Sequence, residues 1–209
     1  MTPGARRLLR RYNVAVPSHE DIRQWIVEVL GSHPQLLALA LRQRAKFEGW
    51  LKLELATHLM AKGASSVTLE APYGGRQRAD IGFTMGGKPF LLELKTPNTN
   101  WRLPGVANRT RPITKNVAGI VEDARKLAGS GAHGIVAFVL FPIPASDTRW
   151  HVYLQRVSNE TGVRLTEHEN CSRARMTLRV GQDCEAVVCC FAVPTLLQQG
   201  SSDYCDLGA

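Results

Sequence analysis

An α/β fold with a mixed central β-sheet flanked by helices is the class this sequence predicts, on three observations. Strand patterns at Ser66 to Ala71, Arg78 to Met85 and Pro89 to Thr96 follow one another through glycine-containing turns and form a meander. Amphipathic helical patterns lie before and after that meander. The apolar run Gly134 to Phe141, rich in Ile, Val and Phe, follows the later helix; a crossover of that kind makes it parallel to the third strand. With 209 residues and 44% hydrophobic content the chain supports one substantial core, so a single domain spanning 1–209 is expected.

Taken in order, Met1 to Pro17 carries Arg6, Arg7, Arg10 and Arg11 around Leu8 and Leu9, which suits either an arm on phosphate or a solvated end. Ser18 caps a helix with Glu20 and Asp21 in its first turn and Ile22, Trp25, Ile26, Val29 and Leu30 at helical spacing, stopped by Gly31. A longer helix is expected from Pro34 to Lys62, ending at Gly63, with Glu48 on the stripe of Leu51, Leu55 and Leu59 and therefore directed toward the core. Glu54 lies on an adjoining stripe with Trp50 and His58. The first turn of the meander falls at Pro72-Tyr73-Gly74-Gly75 and the second at Met85-Gly86-Gly87-Lys88, which makes the second and third strands antiparallel neighbours. Pro97 to Pro112 is a basic polar loop, and Thr114 caps a helix from Lys115 to Leu127, closed by Gly129. Trp150 to Arg156, Met176 to Val180 and Ala186 to Val193 read as short further strands that extend the sheet or form a sub-sheet.

The chemistry concentrates at Arg78 to Thr96. Leu92 and Leu94 flank Glu93, so Glu93 and Lys95 share one face of their strand, while Ile81 and Phe83 share a parity with Ala79. The hairpin brings Asp80 opposite the Glu93 end. Two carboxylates a few ångströms apart repel unless a cation lies between them, and hard oxygen donors beside an amine suit Mg²⁺ or Mn²⁺. A solvated surface hairpin explains these residues less well, because Phe90, Leu91, Leu92 and Leu94 make the strand apolar on both faces.

Asp80 followed by Glu93-Leu94-Lys95 resembles the D…(D/E)-X-K core of the PD-(D/E)XK, or restriction-endonuclease-like, nuclease superfamily. Ala79 stands where that superfamily often has proline, a residue that is not a ligand. The resemblance covers a core of about 45–142, leaving an N-terminal helical segment 1–44 and a C-terminal strand extension 143–209. It implies an αβββαβ core and metal-dependent hydrolysis of phosphodiester bonds, with DNA as the expected substrate. Asp80, Glu93 and the backbone carbonyl of Leu94 would hold Mg²⁺ or Mn²⁺. Glu48 would join them directly or through water, as the acidic residue of the preceding helix, with Glu54 the competing choice for that role. Lys95 would orient or help deprotonate the attacking water, as a base only where its pKa is lowered. Arg76, Arg78, Trp101, Arg102, Arg109, Arg111 and Lys115 are the expected nucleic-acid contacts, by charge and stacking.

A net charge of +8 and a pI near 9.6 favour a polyanionic partner. The six histidines have no HExxH or HxH spacing, the five cysteines (171, 184, 189, 190 and 205) no CxxC, and there is no GxSxG or Walker loop. Zinc, serine-hydrolase and nucleotide-dependent chemistries therefore have no support. Cys189 and Cys190 sit in an apolar run as small buried thiols, a cytoplasmic location fits the reduced cysteines, and no stretch is apolar for long enough to cross a membrane. Two alternatives stay open: a non-catalytic nucleic-acid-binding protein on the same fold, and a domain that works with a partner subunit or as a homodimer.

Overall fold

A six-stranded mixed sheet lies between two helical layers in the computed structural model, which describes residues 15–43, 45–99, 113–179 and 182–194. The elements run α1 (His19–Ser32), α2 (Pro34–Gln43), α3 (Glu48–Ala61), β1 (Ser65–Gly74), β2 (Gln77–Met85), β3 (Lys88–Lys95), α4 (Ile113–Ala128), β4 (His133–Pro144), α5 (His151–Thr161), α6 (Glu167–Asn170), β5 (Cys171–Arg179) and β6 (Gln182–Val193). The strand order is β1-β2-β3-β4-β6-β5. The meander is antiparallel, β4 runs parallel to β3, and β6 and β5 continue antiparallel beyond it. The C-terminal strands thus extend the main sheet.

Sequence chemistry fixes the ends of these elements. Ser18 accepts from the Asp21 amide at 3.2 Å while Asp21 accepts from the Ser18 amide at 2.8 Å, a reciprocal box that starts α1. Gly86 and Gly87, at φ 58° and 76°, supply the two left-handed residues of a two-residue hairpin. One core packs α1, α2 and α3 against Ile81, Phe83, Leu92, Leu94, Ile135, Ala137 and Val139. The other packs α4 and α5 against Leu91, Val136, Phe138 and Leu140. Strands β3 and β4 are covered on both faces, which accounts for their unbroken apolar runs.

Several expectations are corrected. The single helix from Pro34 to Lys62 is two helices, parted where Phe47 leaves the helical path and buries its ring edge-on against Phe141, centroids 5.9 Å apart. Strand β1 continues through Gly74, so the first turn is Gly75-Arg76, with Gly75 at φ 53°. Thr114 lies inside α4, whose first residue is Ile113. Trp150 to Arg156 is not a strand: Trp150, Leu154 and Val157 are buried at i, i+4 and i+7, and α5 begins at His151. Strand β4 also passes Pro142, at the place where its pairing with β6 shifts register between Leu140 and Ile143. The Arg6-to-Arg11 arm, Trp101, Arg102, Arg109, Arg111 and Cys205 lie outside the described residues. Among the described residues no helix is long and apolar enough to cross a membrane.

Gly82 makes the β1–β2 crossing possible. A Cβ added there would stand 2.5 Å from Ala71 Cβ, a rigid neighbour that cannot swing aside. Gly82→Ala is therefore expected to lower the unfolding free energy by about 1–3 kcal/mol, the usual cost of overpacking, read as a shift in the urea midpoint. An unchanged midpoint would show that the two strands have slack at this crossing.

Candidate metal and phosphodiester site

The registered pairing of β2 with β3 ends at Ile81↔Leu92, one residue short of Asp80 and Glu93. Asp80 occupies the opening: its Oδ2 accepts from the Leu94 amide at 2.8 Å, a side-chain substitute for the ladder. The facing of β2 changes here as well. Ile81 and Phe83 pack on the α3 side, whereas Ala79 packs on the α4 side, so the shared parity expected of the three is broken at Asp80.

Glu93 is 6% exposed on the central strand β3. Burial, reinforced by the neighbouring Asp80 and Asp123 carboxylates, pushes its carboxyl up from an ordinary 4.5 to about 8. The surroundings therefore favour the protonated, neutral form of Glu93. Lys95, two residues on, turns to α4, where its Nζ lies 2.9 Å from Asp123 Oδ2. Burial alone would lower the Lys95 pKa, but the Asp123 ion pair and the nearby Asp80 and Glu48 charges outweigh it and hold the ammonium above its ordinary value. The lowered pKa that a Lys95 base requires is not what this surrounding provides. Lys95 stands as a fixed cation.

Four further residues that the sequence pattern does not single out belong to this constellation. Asp123 is buried on α4 at a position of the helix's core stripe, which was the available signal. Lys52 projects from α3; its Nζ donates to Asp80 Oδ1 at 3.1 Å and also to Glu70. Glu70 is on β1 at φ 50°, where alternation gives no sign of it. Tyr73 of β1 is close enough that burial and the Glu93 charge raise its hydroxyl pKa.

Glu48 stands at the first position of α3 and accepts from the Thr96 amide at 2.9 Å, closing the far end of β3. It neighbours Lys95 but engages the strand end, while Asp80 and Glu93 meet at the opening. The Leu94 N–H donates to Asp80 Oδ2, and in an extended strand the carbonyl of the same residue points to the same side, toward the opening. Arg78 is exposed and donates to the Glu70 carbonyl at 3.2 Å, and Arg76 sits on the β1–β2 turn. Lys115 rims a cleft of about 770 Å³ whose wall also includes Lys46, Glu48, Lys95, Asn98 and Asp123. Among the described residues no group of three His, Cys, Asp or Glu side chains is gathered as a ready-made metal cage. The Asp80–Glu93 pair nevertheless suits a hard ion such as Mg²⁺, which takes one or two carboxylates and completes its shell with water and substrate oxygens.

The raised Glu93 pKa has a definite sign in stability. The folded chain holds a proton that the unfolded chain releases above pH 4.5, so Glu93's contribution is complete below that pH and is lost as pH rises through about 8. Asp80, Asp123, Lys95 and Tyr73 are the titratable groups that face it. Glu93→Gln, which mimics the protonated acid, should match the wild-type melting temperature near pH 5 and exceed it at pH 8.5. Parallel melting curves at all pH values would contradict this placement.

The chain matches no protein-family model, no curated protein and no solved structure, so the chemistry of this site is argued from its own residues.

Proposed function

We propose that this chain is a divalent-metal-dependent nuclease of the PD-(D/E)XK kind, hydrolysing phosphodiester bonds in DNA. The observation that carries the reading is the Asp80 carboxylate, fixed on the Leu94 N–H where strand pairing stops and set beside the buried Glu93, with the Lys95 cation two residues along the same strand. A buried carboxyl held toward its protonated form beside a second carboxylate is a costly feature for a structural sheet. It is a natural holder for a cation that can take the proton's place.

Asp80 and Glu93 would hold Mg²⁺ or Mn²⁺, which when bound supplies Lewis-acid activation of water and of the phosphate. The remaining work falls to the chain. Leu94 N–H fixes one oxygen of Asp80 and thereby its orientation. Asp123 holds Lys95 at the wall of the cleft, where a positive charge stabilises the negative charge that develops on the phosphate oxygens. Glu48 ties down Thr96, so the strand carrying Glu93 and Lys95 is secured at its end. Lys46 and Lys115 border the same cleft and supply charge for neighbouring phosphates. The four buried thiols Cys171, Cys184, Cys189 and Cys190 are free and suit a reducing cytoplasm.

The deciding experiment is cleavage of plasmid and of single-stranded DNA by purified protein with Mg²⁺ or Mn²⁺, comparing wild type, Asp80→Ala and Lys95→Ala. Each substitution should reduce the rate by about 100-fold or more, as expected for loss of a metal ligand or of a transition-state charge. Intact DNA after incubation with a wild-type protein that still binds it would instead favour a non-catalytic nucleic-acid-binding protein.

A further inference from the structure

Lys52 is the charged group of this site to which the nuclease reading gives no task. It lies on α3 with only 18% of its side chain exposed, and its ammonium bridges two carboxylates on neighbouring strands, Asp80 of β2 and Glu70 of β1. The two contacts are unequal in kind. Asp80 is 14% exposed and its other oxygen is pinned by the Leu94 amide, so the carboxylate cannot turn away from Lys52. Glu70 is 56% exposed, and its backbone is held at φ 50° with its carbonyl tied to Arg78. One partner is thus a fixed, inner acid and the other an outer acid in contact with water. A lysine ammonium is a compact charge on a flexible stem and can shift its weight between two such partners.

Resting on the metal reading of Asp80 and Glu93, we propose that Lys52 is a displaceable internal cation. It occupies Asp80 Oδ1, competes with a divalent ion for that oxygen, and withdraws onto Glu70 when the ion binds. The competition follows from charge and space: an ammonium and a divalent ion on one carboxylate repel each other. Glu70 keeps the displaced ammonium paired, so displacement does not leave a lone charge against the α3 side of the sheet. The consequence is a protein that takes up divalent ions less tightly than its two carboxylates alone would allow.

The test reads metal binding without substrate: Mn²⁺ titration followed by the electron paramagnetic resonance signal of free Mn²⁺, for wild type, Lys52→Met, Lys52→Gln and Asp80→Asn. Circular dichroism identifies which of the two Lys52 variants is folded, and Lys52→Gln, which retains a polar head, covers the case in which Met is not tolerated. Removal of the Lys52 charge should tighten Mn²⁺ binding about tenfold, the order expected for deleting a unit charge a few ångströms from the ion at a partly solvated site. Asp80→Asn should weaken binding by at least as much. If Asp80→Asn weakens binding while the folded Lys52 variants bind as wild type does, or less tightly, the role given to Lys52 is overturned and the metal site stands. If Asp80→Asn leaves Mn²⁺ binding intact, the metal reading itself falls and the Lys52 proposal with it. A protein that binds Mn²⁺ in the expected order but cuts no DNA leaves the Lys52 proposal standing and removes only the nuclease reading.

Discussion

The backbone hydrogen bond that β2 does not make to β3 beyond Ile81↔Leu92 is the constraint from which the site follows. An amide on a central strand, covered on both faces, has to be satisfied, and the Leu94 amide takes Asp80 Oδ2 as its acceptor. This one bond fixes the carboxylate at the end of the paired ladder, beside Glu93. It also marks the point at which β2 passes from the α3-side core to the α4-side core. A fully paired β2–β3 ladder would bring its own backbone acceptor to Leu94 and leave Asp80 with no such fixed partner.

From that opening, each charged group is placed by a different element. Helix α4 contributes Asp123 and so draws Lys95 toward the cleft, while α3 contributes Glu48 at its first residue and Lys52 one turn later. The break between α2 and α3 matters for this reason. Phe47 anchors against Phe141 and starts a new helix whose first residue is level with the end of β3, where Glu48 meets Thr96. The parallel crossover to β4, in register from Phe90↔His133 to Lys95↔Phe138, covers the far side of β3 and removes Glu93 from water. Burial of Glu93 is therefore a result of topology, and its raised pKa is a result of burial.

Much of this was legible in the sequence because local signals and global fold agree there. Ser18 with Asp21, Gly86-Gly87 and the apolar run of β4 each specify their own geometry, and the meander with its parallel fourth strand follows from them. The Asp80, Glu93 and Lys95 grouping was legible through strand alternation and the tight second hairpin. Lys52 and Glu70 were not: each is an ordinary surface charge by pattern, and they meet Asp80 only through the packing of α3 on β1 and β2. Asp123 was hidden by its type, since a carboxylate on an otherwise apolar stripe is identified only when its partner across the helix–sheet interface is known. Trp150 to Arg156 reads as a strand because it offers β-branched and aromatic residues in near alternation, and the burial of Trp150, Leu154 and Val157 decides in favour of the helix.

The electrostatic balance of the site argues for work beyond stability. Asp80 with Lys52 and Asp123 with Lys95 form two ion pairs, and burial holds Glu93 toward its neutral form. Such an arrangement is tolerable in an interior, but apolar side chains of similar volume would serve a sheet equally well or better. What apolar side chains cannot provide is exchange: on the proposed metal reading, a proton on Glu93 and an ammonium on Asp80 are both positive charges that a divalent ion would replace. Each occupies a carboxylate that a cation would need, and each has somewhere to go, the proton to solvent and the ammonium to Glu70. On that reading the same residues that balance the interior charge also make it replaceable, a property that would serve binding and has no use in a scaffold.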